Sequence, residues 1–183
     1  MWVYLDQRLY QGREEAKFQQ AIQTRAGRSG ASEPRPAPSV QRPPAVSGSV
    51  IGRMVIPRLG VSVMVHEGVD GRTLRQAAGH IPATALPGMA GNVGVAAHRD
   101  MFFSTLQGVQ RHDRVVFSTL DADYEYEVES LMVVGPDDSY VLQPKGEQRL
   151  LTLVTCYPFH YVGTAPRRFV VQARQVASVL RRP

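Results

Sequence analysis

The chain has 183 residues, of which 43% are hydrophobic and 20% charged, with a formal net charge of +5 at pH 7. This length supports one hydrophobic core and excludes two ordinary domains, so we expect a single domain with extensions. The basic residues are mostly scattered arginines and no nucleic-acid-binding motif is present, so we expect no nucleic-acid partner. A surface that lies close to anionic lipid or cell wall accounts for the positive charge equally well.

The first 26 residues favour a helix. Residues 1–26 contain no proline and no run of β-branched residues, and apolar positions such as Leu5 and Leu9 follow helical spacing, which predicts a helical stem. Residues 27–48 carry several prolines among Ser, Ala and Arg, a composition that cannot bury a core and is typical of an extended linker.

From residue 49 to residue 183 the pattern is one of short strands separated by turn residues. It is clearest over 123–134, where Tyr124, Tyr126, Val128, Met132 and Val134 fall on one face and glutamates fall on the other. Further strands are predicted at 50–56, 61–65, 93–97, 149–155 and 167–173, and short helices at 71–78 and 102–108. Together these elements predict a mostly β domain, in which the strands form a closed or nearly closed barrel with short helices in the crossovers.

The only cysteine, Cys156, excludes an intrachain disulfide and a cysteine-rich zinc site. Metal sites also show histidines at helical i, i+4 spacing or with acidic partners, and neither is indicated by the pattern, so we expect neither metal nor cofactor. Four histidines stand in turn-like contexts without acidic partners and receive no role: His66, His80, His112 and His160.

Cys156 ends an apolar strand and is followed at once by Tyr157-Pro158, which breaks the strand. A lone cysteine is usually a small core residue. At a strand end, however, a rigid scaffold can present the thiol to a groove, and a histidine elsewhere in the chain can supply the base. The pattern therefore indicates a cysteine nucleophile.

Three segments resemble the sequence signatures of the sortase family. Residues 152–156 read Thr-Leu-Val-Thr-Cys, similar to the Thr-Leu-x-Thr-Cys segment that ends the seventh strand of sortases with the nucleophile. Residues 86–99 resemble the family's histidine segment, and residues 168–171 resemble its arginine strand, in the family's order of His, Cys, Arg. The resemblance covers about residues 49–177, and residues 156–159 are most similar to class D.

The resemblance implies a closed β-barrel of about eight strands in which Cys156, His98 and Arg168 carry the reaction. Cys156 would attack the Thr carbonyl of an LPxTG-like sorting motif, giving a thioester acyl-enzyme that an amine resolves. His98 would protonate the departing amine and deprotonate the incoming one. Arg168 would hold the substrate backbone and stabilise the oxyanion. The implied partners are proteins with a C-terminal sorting signal and an amine acceptor, either a lipid-linked cell-wall precursor or a pilin lysine.

Strand geometry predicts how two of these side chains meet. Along residues 167–173, alternation places Phe169 on the more apolar face and Arg168 on the other face. Along the preceding strand, it places Leu153 and Cys156 on opposite faces. We expect Arg168 and Cys156 to meet across neighbouring strands, outside the core.

The resemblance also bears on substrate binding. Residues 135–149 would overhang the groove, where Tyr140, Val141 and Leu142 either receive the motif's Leu side chain or merely anchor the loop to the barrel. Thr155, just before the nucleophile, would assist at the substrate site through its hydroxyl or backbone.

A position at the cell membrane, with the catalytic domain outside, is implied as well. No run approaches the roughly 20 apolar residues that a membrane span needs. Trp2 and Tyr4 are typical of the interfacial edge of a span, and sortases commonly carry a stem after an anchor, so we expect a single-pass anchor upstream.

Alternatives stay open at this point. A cysteine hydrolase of the same motif would use the same nucleophile and base, and an inactive β-barrel module would only hold extended peptide. An L,D-transpeptidase is disfavoured because its Ser-His-Gly-Cys segment is absent. One departure from the family is visible: His112-Asp113 stands where relatives often have Gly-Asp before the next strand.

Overall fold

A computed structural model describes residues 2–26 and 46–181 of the chain. Most of the predicted linker, residues 27–45, lies outside the described residues. The helices are α1 (Trp2–Ala26) and α2 (Gly71–Gln76), with short 3₁₀ helices at Pro57–Leu59, Ser104–Gly108 and Ser139–Leu142. The strands are β1 (Val50–Ile56), β2 (Val61–Glu67), β3 (Ala78–His80), β4 (Gly91–Ala96), β5 (Arg114–Ser118), β6 (Ala122–Val134), β7 (Arg149–Tyr157) and β8 (Arg167–Leu180).

The strands close into a barrel in the order β1-β2-β3-β4-β7-β8-β6-β5, which confirms the predicted fold class. The pairs β2–β3 and β4–β7 are parallel and the others are antiparallel. Alternate residues of each strand point inward, where Met54, Phe117, Tyr126 and Leu151 are fully buried. The barrel interior is thus filled by side chains, and any binding surface must lie on its outside.

Two strands were not predicted, and both are short. β3 consists of Ala78, Gly79 and His80, too few residues to show an alternating pattern, and it is held by pairing with β2 and β4. β5 has five residues, Arg114–Ser118, and pairs with β1 and β6. β8 runs to Leu180, past the predicted end at residue 173, because β6 continues alongside it.

The prediction of a single apolar face along β6 is wrong. The register between β6 and β8 shifts between Val128 and Ser130, so that one additional residue of β6 is accommodated there. Tyr126 and Val128 pack in the barrel core, whereas Val134 belongs to a second apolar cluster on the groove side. The bulge therefore turns the end of β6 outward and adds apolar surface to the groove.

The turn at His112-Asp113, where relatives often have Gly-Asp, is held by polar contacts. His112 adopts a φ of 71°, in the left-handed region that favours glycine, and its Nδ1 lies 2.8 Å from Glu127 Oε1. Asp113 is buried and accepts two hydrogen bonds from the Arg58 guanidinium, both at 2.5 Å. The hydrogen-bonded guanidinium lowers the pKa of the Asp113 carboxyl. The polar contacts thus hold the turn without glycine.

Helix α1 packs on the barrel, against β2 and α2. Phe18 is 5% exposed. The Gln11 side chain accepts a hydrogen bond from the Met64 backbone N–H at 2.8 Å and donates one to the Gln76 carbonyl at 2.5 Å. Gln11 therefore satisfies a backbone N–H of β2 and the carbonyl of the last residue of α2.

The packing of α1 predicts a measurable contribution to stability. Gln11→Ala removes the partners of two backbone groups, which costs about 1 kcal/mol or more, and the melting temperature should fall by roughly 2–4 °C. Gln19→Ala, at an exposed position of the same helix, is the matched control and should melt like the parent. Equal melting temperatures for all three proteins would contradict the docking of α1.

Candidate active site

The groove side of the barrel is built from the neighbouring strands β4, β7, β8 and β6. Along β7 and β8, side chains alternate between the core, which contains Leu153, and the second cluster, in which Val154 packs against Val170. Cys156 and Arg168 share the groove side by this alternation and are direct partners in the β7–β8 pairing. The predicted face assignment is confirmed.

His98 reaches the same end of the barrel because β4 runs parallel to β7. Ala96 lies opposite Val154 in this pairing. Both chains continue in the same direction, so His98 and Cys156 each follow this pair by two residues. The three predicted catalytic residues therefore come from the ends of β4 and β7 and the start of β8, three neighbouring strands.

Thr155 ties the segments of His98 and Cys156 together. Its hydroxyl donates a hydrogen bond to the Ala97 carbonyl at 2.8 Å, and its side chain is only 2% exposed. The bond joins the residue before His98 to the residue before Cys156. This placement supports a role for Thr155 in positioning the site.

Arg168 is oriented by backbone carbonyls at the start of β8. Its Nη1 donates to the carbonyl oxygen of Ala165 at 3.2 Å and to that of Arg167 at 3.0 Å. Among the described residues, its other guanidinium nitrogens take no hydrogen bond. Arg168 thus keeps donors for a group that enters the groove beside Cys156.

A cavity of about 220 Å³ lies beside Arg168, under the loop that joins β6 to β7. Its lining includes seven apolar residues, Ile81, Val134, Pro136, Val141, Leu142, Val154 and Val170, together with Gly135, Asp137, Asp138, Ser139 and Arg168. Two of the three predicted loop residues line the cavity: Val141, which is buried, and Leu142, which is half-buried. The third, Tyr140, is 56% exposed and does not line it. The dimensions suit one apolar side chain.

Arg99 ends the segment that resembles the family's histidine segment, and the sequence indicates no role for it. Its guanidinium donates to the carbonyl oxygens of Pro158 at 2.9 Å and Tyr161 at 2.7 Å, and it lies over the Tyr161 ring at 5.9 Å. Arg99 therefore fastens the loop that follows Cys156 to the segment that carries His98.

The expectation that the remaining histidines lack acidic partners is wrong for two of them. His80 is buried in β3 with its Nδ1 2.6 Å from Glu67 Oε2, and His112 pairs with Glu127. His66 lies in β2, where burial lowers the pKa of its imidazole. Within residues 2–26 and 46–181, no three His, Cys, Asp or Glu side chains group as metal ligands do.

Comparison with known proteins assigns this arrangement to one family. A domain family described as the sortase domain matches residues 54–176. Sortase D of Bacillus subtilis (strain 168) is 28% identical over 130 residues, covering 71% of this chain and 66% of that protein. Sortase A of Bacillus anthracis is 27% identical over 126 residues, covering 67% and 58%. A solved Clostridium perfringens Sortase D5 transpeptidase superposes with a TM-score of 0.71 at 22% identity, covering 97% of this chain and 100% of that one.

The matched domain takes up more than half of the chain and includes His98, Cys156 and Arg168. The chain therefore belongs to the sortase family. It spans about two thirds of the length of the Bacillus subtilis relative and 58% of the Bacillus anthracis one.

Proposed function

We propose that this sortase is a transpeptidase that cleaves an LPxTG-like sorting motif in another protein and joins the new carboxyl end to an amine. The observation that carries the proposal is the register of three strands, which brings Cys156, Arg168 and His98 to one edge of the groove. A nucleophile, a donor for an oxyanion and a proton carrier are the groups that acyl transfer needs.

In the first half of the reaction, Cys156 Sγ attacks the carbonyl carbon of the motif's Thr. The carbonyl oxygen becomes an oxyanion, which the free donors of Arg168 stabilise. As the intermediate collapses, the peptide C–N bond breaks and His98 gives a proton to the departing amine. The product is a thioester between Cys156 and the substrate.

In the second half, an amine attacks the thioester carbonyl and His98 takes its proton. The C–S bond breaks, the Cys156 thiolate leaves, and the acyl group ends in a new amide bond. The proton that His98 gave away is thereby restored, so no cofactor is consumed.

The cavity supports recognition of an apolar residue of the motif. It adjoins Arg168 and is roofed by Val141 and Leu142, so the motif's Leu side chain would enter it while the Thr carbonyl lies at Cys156. Tyr140, at the exposed edge of the same loop, would contact the substrate outside the cavity. Thr155 would act indirectly, by holding the segments of His98 and Cys156 in register.

Partners and location follow from the same proposal. The acyl donor would be a protein with a C-terminal sorting signal, and the acceptor a lipid-linked cell-wall precursor or a pilin lysine, at the outer face of the cell membrane. The proposal includes a single-pass membrane anchor. Among the described residues, no helix is long and apolar enough to cross a membrane. The similarity to Sortase D and to the Sortase D5 structure supports class D.

The reaction is tested by incubating the protein with an LPxTG-like peptide, with and without a small amine, and identifying the products by mass spectrometry. A transpeptidase joins the peptide to the amine, and Cys156→Ala, which should melt like the parent, forms no product. Exclusively hydrolysed peptide in the presence of amine would make the protein a hydrolase. Unchanged peptide in every reaction would leave a binding module.

The role of Arg168 predicts a sharp difference between two adjacent arginines. Arg168→Ala should lower kcat by about 10² or more, the usual loss on removing one oxyanion donor. Arg168→Lys should also be impaired, because an ammonium group lacks the planar fork of donors. Arg167→Ala is the matched control, since Arg167 is exposed and contributes its backbone carbonyl. Equal losses at the two positions, or a fully active Arg168→Lys, would contradict the oxyanion role.

A further inference from the structure

The β6–β7 loop (residues 135–148) is held by three buried polar side chains that the reaction above does not use. Asn92 of β4, Thr152 of β7 and Gln172 of β8 are 2%, 0% and 5% exposed. Asn92 and Gln172 each direct a donor at one atom, the Val141 carbonyl oxygen, and the Thr152 hydroxyl lies beside it. Asn92 Nδ2 lies at 3.0 Å, Gln172 Nε2 at 2.8 Å and Thr152 Oγ1 at 3.4 Å. A carbonyl oxygen has two lone pairs, so this acceptor is saturated.

The remaining polar atoms of these side chains are also paired. The Thr152 hydroxyl donates to Asn92 Oδ1 at 2.8 Å, which turns the amide nitrogen of Asn92 toward the loop. That nitrogen also reaches the Gln143 carbonyl at 3.4 Å. Gln172 Oε1 accepts a hydrogen bond from Lys145 Nζ at 3.1 Å. The network thus joins three strands to residues 141, 143 and 145 of the loop.

The network lies at a defined position along the strands that form the groove floor. From the reactive end, successive cross-strand pairs of β7 and β8 are Cys156 with Arg168, Val154 with Val170, and Thr152 with Gln172. The apolar pair forms the floor of the cavity, and the loop forms its roof. The polar pair, together with Asn92, fixes the roof at the end of the cavity far from Cys156.

Polar side chains are costly to bury unless every group is bonded, and apolar residues could cover this surface as well. Hydrogen bonds, unlike apolar contacts, specify direction and distance. Two donors on one carbonyl, one of them oriented by the Thr152 hydroxyl, therefore fix the position of Val141, and with it the width of the cavity.

We propose that Asn92, Thr152 and Gln172 are positioning residues that hold the β6–β7 loop over the cavity before substrate arrives, and so set the preference for a branched apolar side chain in the sorting motif. This inference rests on the proposed function for its substrate. A cavity present in all molecules binds without an ordering cost, whereas one present in a fraction binds more weakly by that fraction. A loosened roof would also accept a smaller side chain with little penalty.

The experiment compares two substitutions at one position. Thr152→Val keeps the shape of the side chain and removes the hydroxyl. Thr152→Ser keeps the hydroxyl and removes the methyl group. Thr105→Val, at an exposed position of the 3₁₀ helix Ser104–Gly108, is the control. Gln172→Met is a second variant that removes a donor on its own, should Thr152→Val fold poorly.

The first readout is hydrogen exchange of the substrate-free protein at the Gln143 amide, which donates to the Tyr140 carbonyl at 3.1 Å within the loop. Exchange should accelerate about 10-fold in Thr152→Val and Gln172→Met, and stay at the parental rate in Thr152→Ser and the control. Parental exchange in both test variants would overturn the proposal.

The second readout is the affinity of sorting-motif peptides with Leu or Ala at the first position, measured with each variant in a Cys156→Ala protein so that no turnover occurs. The preference for Leu should fall by about threefold or more in Thr152→Val and return in Thr152→Ser. Faster exchange with an undiminished preference for Leu would reduce the network to a structural role and overturn the proposal. A parent protein that binds neither peptide would contradict the proposed function and the specificity role together, while the exchange rates would still decide whether the network holds the loop.

Discussion

The pairing register of β7 with β4 and β8 determines which side chains meet at the site. Parallel pairing sets Ala96 against Val154, and antiparallel pairing sets Cys156 against Arg168. Because side chains alternate along a strand, a slip of one residue in either pairing would turn a reactive group into the core or separate it from its partner. The inward residues of β7, such as Leu151 and Leu153, are fully buried and fix this register by packing. The stability of the core and the geometry of the chemistry therefore have the same origin.

The groove divides its tasks along the length of the strands. The reactive pair lies at the strand ends, where loops can bring His98 and a substrate close, and the apolar and polar pairs lie further inside. Arg99 holds the loop beyond Cys156, and hydrogen bonds to the Val141 carbonyl hold the loop over the cavity, so both loops that border the groove are bonded to the barrel. Helix α1 docks on β2, on the opposite side of the barrel from β8. Three strands separate β2 from β8 in either direction around the barrel: β3, β4 and β7, or β1, β5 and β6.

The sequence predicted what alternation and short motifs can express. It predicted the mostly β barrel, six of the strands, and the face on which Arg168 meets Cys156, because these depend on period-two patterns and on one strong resemblance. It failed where a single residue changes the pattern, as at the bulge after Val128, and where an element is defined only by its neighbours, as in β3. The contacts of Asn92 with Val141 and of Arg99 with Pro158 join segments far apart in the chain, and no local pattern indicates which backbone carbonyl a buried donor will reach.

If the strand register presents Cys156 as the nucleophile, Cys156 carries the acyl group during the reaction. Intact-protein mass spectrometry after brief acid quenching of the reaction with an LPxTG-like peptide tests it directly. We expect a protein heavier by the mass of the peptide's acyl portion, with the adduct located on Cys156 by fragmentation. The adduct should accumulate without amine and disappear when a small amine is added. Turnover of peptide with no adduct at any point in the reaction, or an adduct on any other residue, would contradict it.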